Sequence, residues 1–233
     1  MRHFKLKYTY IFLSLLFASC SFEPDEVFTD ERLEEYEMYD YYVDQYGNEG
    51  IIAYVSSDKE CVIALSLDES LQSWGPTGEE IYKGSTEWID IHSVKFGVAM
   101  HQAMMSMGIE RFPAQNWCNQ KNMSEQYPRA GSWRLPSRYD FSLIFGTEGQ
   151  MLERVNAALK SANGTPLEKE EMYWACNEDI DGYITFNDVI PDYDQANRAV
   201  TCSPLNTTNY NKDRWIKKNQ YLVRAIKYVY YEY

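Results

Sequence analysis

Oxygen-bearing side chains recur at alternate positions in the run Asn177-x-Asp179-x-Asp181-Gly182-Tyr183-Ile184-Thr185-Phe186-Asn187-Asp188. Counted from Asn177, donors fall at Asn177, Asp179, Asp181, Thr185 and Asp188, with the Tyr183 carbonyl between them and Gly182 at the sharp turn. That is the spacing of a calcium loop, which gathers about six to eight oxygens around the ion. Two substitutions weaken the set: Asn177 brings no charge to the first position, and Asp188 is a methylene shorter than a bidentate Glu. The same residues also read as a β-hairpin, because Asp181-Gly182 is a strong turn signal between aromatic-rich flanks. Calcium is therefore an expectation with a competitor.

A second run, residues 206–221, is rich in Asn, Thr, Tyr, Lys and Trp and poor in aliphatic residues. Adaptable amides beside rigid aromatic rings are what a recognition loop uses, so Asn206, Asn209, Tyr210, Asn211 and Trp215 are candidate ligand contacts. A solvated loop without a ligand fits equally well, since loops are polar in any case. Catalytic chemistry has less to work with. Behind the leader only His92 and His101 remain, and they are not at the four-residue spacing of a helical metal pair. His101 sits among methionines and is expected in the core. Neither G-x-S-x-G, a P-loop nor G-x-G-x-x-G occurs, so no enzyme is expected.

Cys20 carries the strongest chemical expectation. Arg2, Lys5 and Lys7 precede an apolar run from Tyr8 to Phe17. Crossing a bilayer takes roughly 20 such residues, so this shorter run reads as a signal-peptide core. Leu16-Phe17-Ala18-Ser19-Cys20 then looks like a lipobox, at which bacterial processing acylates the cysteine and cleaves before it. Residues 1–19 are expected to be a signal peptide, residues 20–48 a lipidated acidic tether, and residues 49–233 the folded domain. Several acyl chains on one residue would make the anchor permanent. The expected location is the cell envelope, lipid-anchored at the outer membrane or surface of a bacterium.

Charge narrows the partners. The 233-residue chain has a net charge of −13, and loss of the three leader cations moves it to −16. Such a surface repels phosphate backbones, so no nucleic-acid partner is expected. The expected partners are the membrane, through the anchor, and a glycan or protein ligand outside. Aromatic residues make up 15% of the chain, enough for a real core. An exported chain meets oxidising conditions, yet the pairing of Cys61, Cys118, Cys176 and Cys202 is open, buried free thiols included.

Local patterns supply the elements. Ile51–Val55 and Cys61–Leu67 read as strands joined by a turn at Ser57-Asp58-Lys59. A helix is expected from Ile91 to Met107, apolar around most of its circumference and so buried on more than one side. Pro113 opens a short helix through Trp117 and Cys118. Ser137-x-x-Asp140 is a capping box for a helix containing Phe141, Ile144 and Phe145. An amphipathic helix from Gly149 to Ser161 ends near Asn163-Gly164. Strands close the chain at Met172–Ala175, Ala199–Cys202 and Tyr221–Tyr230.

Three of these blocks, in order, resemble one family. They are Gly50–Val55 with Ile63–Glu69, then Gly131-Ser132-Trp133-Arg134-Leu135-Pro136-Ser137 through Phe141, then Tyr173–Glu178 with Tyr221-Leu222-Val223-Arg224-Ala225-Ile226. They look like the Lcl C-terminal-like domains of bacterial surface proteins, relatives of the Fibrobacter major paralogous domain. The resemblance covers roughly residues 50–229. It implies an α+β, C-type-lectin-like fold, two or three helices packed on small antiparallel sheets. It further implies that first and last strands pair, that Trp133 and Trp174 fill the centre, and that Arg224 satisfies buried carbonyls or a carboxylate. By analogy the function would be a non-enzymatic, adhesin-like ligand-recognition domain, glycan-binding in some members. The alternative is a structural or accessory subunit of an envelope or pilus-like assembly.

Overall fold

Ile51-Ile52-Ala53 and Val62-Ile63-Ala64-Leu65 are apolar at every position, so strands made from them must be covered on both faces. The computed structural model, which describes residues 36–81, 94–123, 129, 131–146, 149–178, 196–205 and 214–231, shows how. β1 (Tyr41–Val43), β2 (Glu49–Val55) and β3 (Cys61–Ser66) run antiparallel and are joined by the last strand, β9 (Ile226–Tyr231), in the order β1-β2-β3-β9. The last strand pairs with the second apolar strand, β3, and not with the first, β2, so the expected pairing of first and last apolar strands does not form. Ile52, Val62 and Ala64 face one core cluster and Ile51, Ala53, Ile63 and Leu65 a second.

Helices cover the two faces. α1 (Val94–Ser106) and α2 (Pro113–Asn119) bring Phe96, Met100, Met104, Ala114 and Cys118 to the first cluster. α3 (Arg138–Phe145) and α4 (Leu152–Ser161) bring Phe141, Ile144, Phe145, Leu152, Val155 and Leu159 to the second. The α+β expectation holds, with four α-helices among the described residues instead of two or three. α1 corrects its own reading as well. Phe96, Gly97, Met100, His101 and Met104 form one buried stripe, while Lys95, Gln102 and Ser106 are exposed. Methionine at non-core positions had widened the apparent apolar arc.

A second sheet runs β4 (Ser70–Ser73), β8 (Gln220–Val223), β5 (Tyr173–Glu178), β6 (Arg198–Cys202), β7 (Arg214–Ile216). It is antiparallel except where β5 meets β8, so the all-antiparallel expectation fails at that one contact. The single strand expected over Tyr221–Tyr230 is two strands, broken at Arg224-Ala225, where the chain passes from one sheet to the other. Arg224 explains the break. Its guanidinium donates to the carbonyls of Ser66 (2.9 Å), Leu67 (2.8 Å) and Thr165 (2.7 Å) and to the Glu69 carboxylate (2.6 Å). Turning that side chain inward prevents the chain from continuing straight.

Residues 36–48 are not all tether. β1 lies in that stretch, and Asp44 accepts the Trp133 indole N–H at 2.7 Å from within it. Trp133 and Trp174 are both buried centrally, joined by Trp74, whose indole N–H donates to the Ala175 carbonyl at 2.7 Å. The capping box forms as spaced, with Ser137 Oγ accepting from Asp140 N and Asp140 Oδ2 from Ser137 N. α4 ends in a Schellman motif: Asn163 takes φ 59°, Gly164 N donates to Leu159 O at 2.7 Å and Asn163 N to Lys160 O at 3.1 Å.

Candidate functional site

The two candidate runs from the sequence, widened by their flanks to residues 177–195 and 203–219, have stems that the second sheet brings together. β5 ends at Glu178 and pairs with β6, which pairs in turn with β7. Glu178 stands opposite Ala199, and Ala199 opposite Trp215. Three neighbouring strands thus place one end of each candidate segment in a single row.

A buried ion pair locks that row. Lys217 Nζ lies 2.6 Å from Glu178 Oε1, and both side chains are fully buried. The same ammonium donates to the Glu79 carbonyl at 2.8 Å and sits 4.7 Å from the centroid of the Trp74 ring. The Ile81 N–H points at both Glu178 oxygens, at 3.0 and 3.1 Å. On the backbone, Lys217 N donates to Asn197 O and Trp74 N to Lys217 O, each at 2.9 Å. Charges satisfied this fully hold structure; they are not poised to react. Their effect is to fix where the two candidate segments leave the sheet. Glu178 entered the sequence reading as the last residue of the Tyr173–Glu178 block, but Lys217 was not singled out, because nothing in a polar run marks one lysine as buried.

Trp215 is the described member of the ligand-contact set. It is 39% exposed on β7, with its ring tilted against Tyr221 at 5.6 Å. Tyr221 in turn meets Trp174 edge to face at 5.0 Å, and the Trp174 indole N–H donates to the Gln72 carbonyl at 2.9 Å. The exposed indole is therefore the outer rung of an aromatic ladder rooted in the core. A ring already held in place loses little freedom when a ligand covers it. Asn206, Asn209, Tyr210 and Asn211 lie outside the described residues.

Of the calcium-loop residues, Asn177 is described. It is buried in β5, where its Oδ1 accepts the Arg138 N–H at 2.9 Å and so helps to satisfy the first turn of α3. Asp179, Asp181, Tyr183, Thr185 and Asp188 lie outside the described residues, as does Cys20. Among the described residues, no three His, Cys, Asp or Glu side chains are grouped to hold a metal. His101 is in the core, as its methionine neighbours suggested, with Nε2 3.0 Å from Asn119 Oδ1. Burial lowers its pKa to about 4, so it is neutral. None of Cys61, Cys118, Cys176 and Cys202 is in a disulfide. Burial raises Cys61 to about 12 and drives Cys118 and Cys176 higher still, which keeps them protonated and inert. Among the described residues no helix is long and apolar enough to cross a membrane.

The chain is similar in fold to a bacterial fimbrial protein. That protein, from Bacteroides ovatus ATCC 8483, matches with a TM-score of 0.55 over 82% of this chain, at 11% identity. The chain spans about half (48%) of its length. No family model matches the sequence, and no curated protein does. The likeness is one of fold, carried by the arrangement of strands and helices.

Proposed function

We propose that this chain is a lipid-anchored, non-enzymatic surface protein of a bacterium that serves as an accessory subunit of a fimbria-like envelope assembly. The observation that carries this reading is the fold shared with the Bacteroides ovatus fimbrial protein over 82% of the chain. The leader ending at Cys20 supports it, because acylation there would hold the mature chain on the outside of a membrane. The pairs Arg134–Asp140, Lys217–Glu178 and Arg224–Glu69 support it too, since these buried charges join strands and loops into a rigid frame. Affinity purification of the tagged chain from solubilised membranes is the test. The expected result is a stoichiometric fimbrial partner, together with altered fibre number or length in cells lacking the chain. Fibres unchanged by the deletion, with no partner recovered, would refute it. Replacing Cys20→Ser should move the chain out of the membrane fraction.

A second reading is favoured by Trp215, an exposed indole on a rigid ladder at the common stem of two polar segments. It is the lectin-like reading, in which that face recognises a glycan or protein ligand. Calcium would be held by Asp179, Asp181, Thr185, Asp188 and the Tyr183 carbonyl, the Asn177 oxygen being engaged by Arg138. A glycan array probed with and without calcium tests it, with Trp215→Ala as the variant that should abolish binding.

A further inference from the structure

Strand β7 carries an apolar pair that the domain leaves uncovered. Trp215 and Ile216 are 39% and 48% exposed, although neighbouring residues of a strand point to opposite faces. β7 is also the outermost strand of the second sheet among the described residues. Its position is nevertheless fixed: Lys217, next in the chain, is buried against Glu178, and the Trp215 ring rests on Tyr221. The rim of the apolar pair is cationic. Arg198, opposite Ile216 on β6, and Lys218, two residues beyond it, are both exposed. Arg111, Lys121 and Lys169 each meet a carboxylate of the domain itself, whereas Arg198 and Lys218 meet none among the described residues. On a chain of net charge −13 this patch is a local reversal of sign.

The same chain holds a segment of complementary pattern. In Asp25-Glu26-Val27-Phe28-Thr29-Asp30-Glu31, three residues of high strand propensity stand between two pairs of carboxylates. An apolar centre with anionic ends matches an apolar strand with a cationic rim. Residues 27–29 would run beside Trp215 and Ile216, with the flanking carboxylates at Arg198 and Lys218. An extended segment laid along a sheet edge gains main-chain hydrogen bonds there and takes its specificity from such side chains. The donor is favoured to be a second copy. Tyr36 is packed on Tyr42 of β1, the outer strand of the other sheet, and the stretch from Glu31 to Tyr36 spans at most about 18 Å.

We propose that β7 docks residues 25–31 of a second copy of this chain. The inference deepens the accessory-subunit reading by naming a contact between subunits, and rests on it for the copies being brought together.

Sedimentation equilibrium of the full chain in density-matched detergent tests it. The wild type should show a concentration-dependent equilibrium between monomer and larger species. Arg198→Glu with Lys218→Glu should raise the dissociation constant at least roughly tenfold, the scale of two partly exposed charge pairs. Lysine at positions 25, 26, 30 and 31 should do the same, and Trp215→Ala should cost a comparable factor through loss of the aromatic anchor. A chain carrying both reversals, patch and segment, should associate again, which a merely damaged fold would not. Arg154→Glu with Lys160→Glu, on the exposed side of α4, should leave association unchanged. A wild type that is monomeric at every concentration, as when the segment folds back on its own β7, overturns the inference. So does a combined reversal that fails to regain association, or an α4 variant that weakens it equally. The measurement needs no fimbrial partner, so it can fail while co-purification succeeds, and the reverse.

Discussion

Asp140→Asn removes one charge from the buried interior and leaves the shape of the side chain intact. Asp140 Oδ2 accepts from Arg134 Nη1 at 2.7 Å and from Ser137 N at 2.6 Å; Oδ1 accepts from the Tyr228 hydroxyl at 2.6 Å and from Arg134 Nη2 at 3.3 Å. Arg134 and Asp140 are both fully buried. Burial works against the Arg134 charge, but the Asp140 carboxylate overrides it and holds the guanidinium above its ordinary pKa. An amide in that place has one accepting oxygen and one donating nitrogen, so either Arg134 or Tyr228 faces a donor. Breaking a buried pair from one side costs about 3–5 kcal/mol, because the surviving charge stays out of water. Against a total stability of about 5–15 kcal/mol, that is a large fraction. With a urea slope of about 2 kcal/mol/M, the unfolding midpoint should fall by roughly 2 M. Arg134→Met should cost a similar amount, and the double variant at least about 2 kcal/mol less than the two singles together, since neither charge is then stranded. Urea unfolding followed by tryptophan fluorescence measures all three. A loss below about 1 kcal/mol for Asp140→Asn, or strict additivity in the double variant, would refute the argument.

Lys217→Met removes the cation facing Glu178 in the interior and should cost about 3 kcal/mol in the same assay, with Glu178→Gln comparable. Gly97→Ala adds a methyl where the Arg134 guanidinium packs on α1, and should lower stability by about 1–3 kcal/mol through overpacking. His101 makes stability pH-dependent in a stated direction. Its folded pKa of about 4 lies below the ordinary 6.5, so the folded chain takes up the proton less readily than the unfolded one. Its contribution is complete above about pH 6.5 and is lost as pH falls toward about 4, about 3 kcal/mol in all; in His101→Gln that part of the acid slope should vanish from melts across this range. Cys118, Cys176 and Cys202 should resist a thiol-reactive dye in the native protein and react once urea unfolds it, with Cys61 the first of the four to label.

Where local chemistry dictates structure, the sequence was readable. Ser137 and Asp140 at cap spacing, Asn163-Gly164 after an amphipathic run, and two apolar runs around Ser57-Asp58-Lys59 each act within a few residues, and each formed. β1, β4 and β7 were not readable. They are three or four residues long and carry polar or aromatic residues with no alternation of their own. They are strands because β2, β8 and β6 offer them an edge, and an offered edge leaves no trace in the paired segment. The Tyr221–Tyr230 run shows the same limit from the other side. Its apolar pattern is continuous, yet Arg224 divides it by reaching Ser66, more than a hundred residues earlier in the chain.

The candidate site was legible as composition and illegible as geometry. Polar, aromatic-bearing segments are visible wherever they occur, whereas the fact that two of them rise from one row of strands depends on the β5-β6-β7 pairing. Asn177 shows what that pairing changes. Its spacing before Asp179 and Asp181 made it the first donor of a calcium loop, but β5 continues through it and turns its oxygen toward Arg138 at the start of α3. A side-chain oxygen satisfying a part-buried backbone amide has little reason to leave it, since losing that bond costs up to about 1–3 kcal/mol. A calcium loop beginning at Asn177 would have to overcome that cost before it gained its first ligand. Any ion held by this segment is therefore expected to draw on Asp179 and the residues after it, and Asn177→Ala should destabilise α3 without changing calcium affinity. A loss of calcium affinity with α3 unaffected, read by titration calorimetry and amide exchange on the same variant, would reverse the assignment of that oxygen.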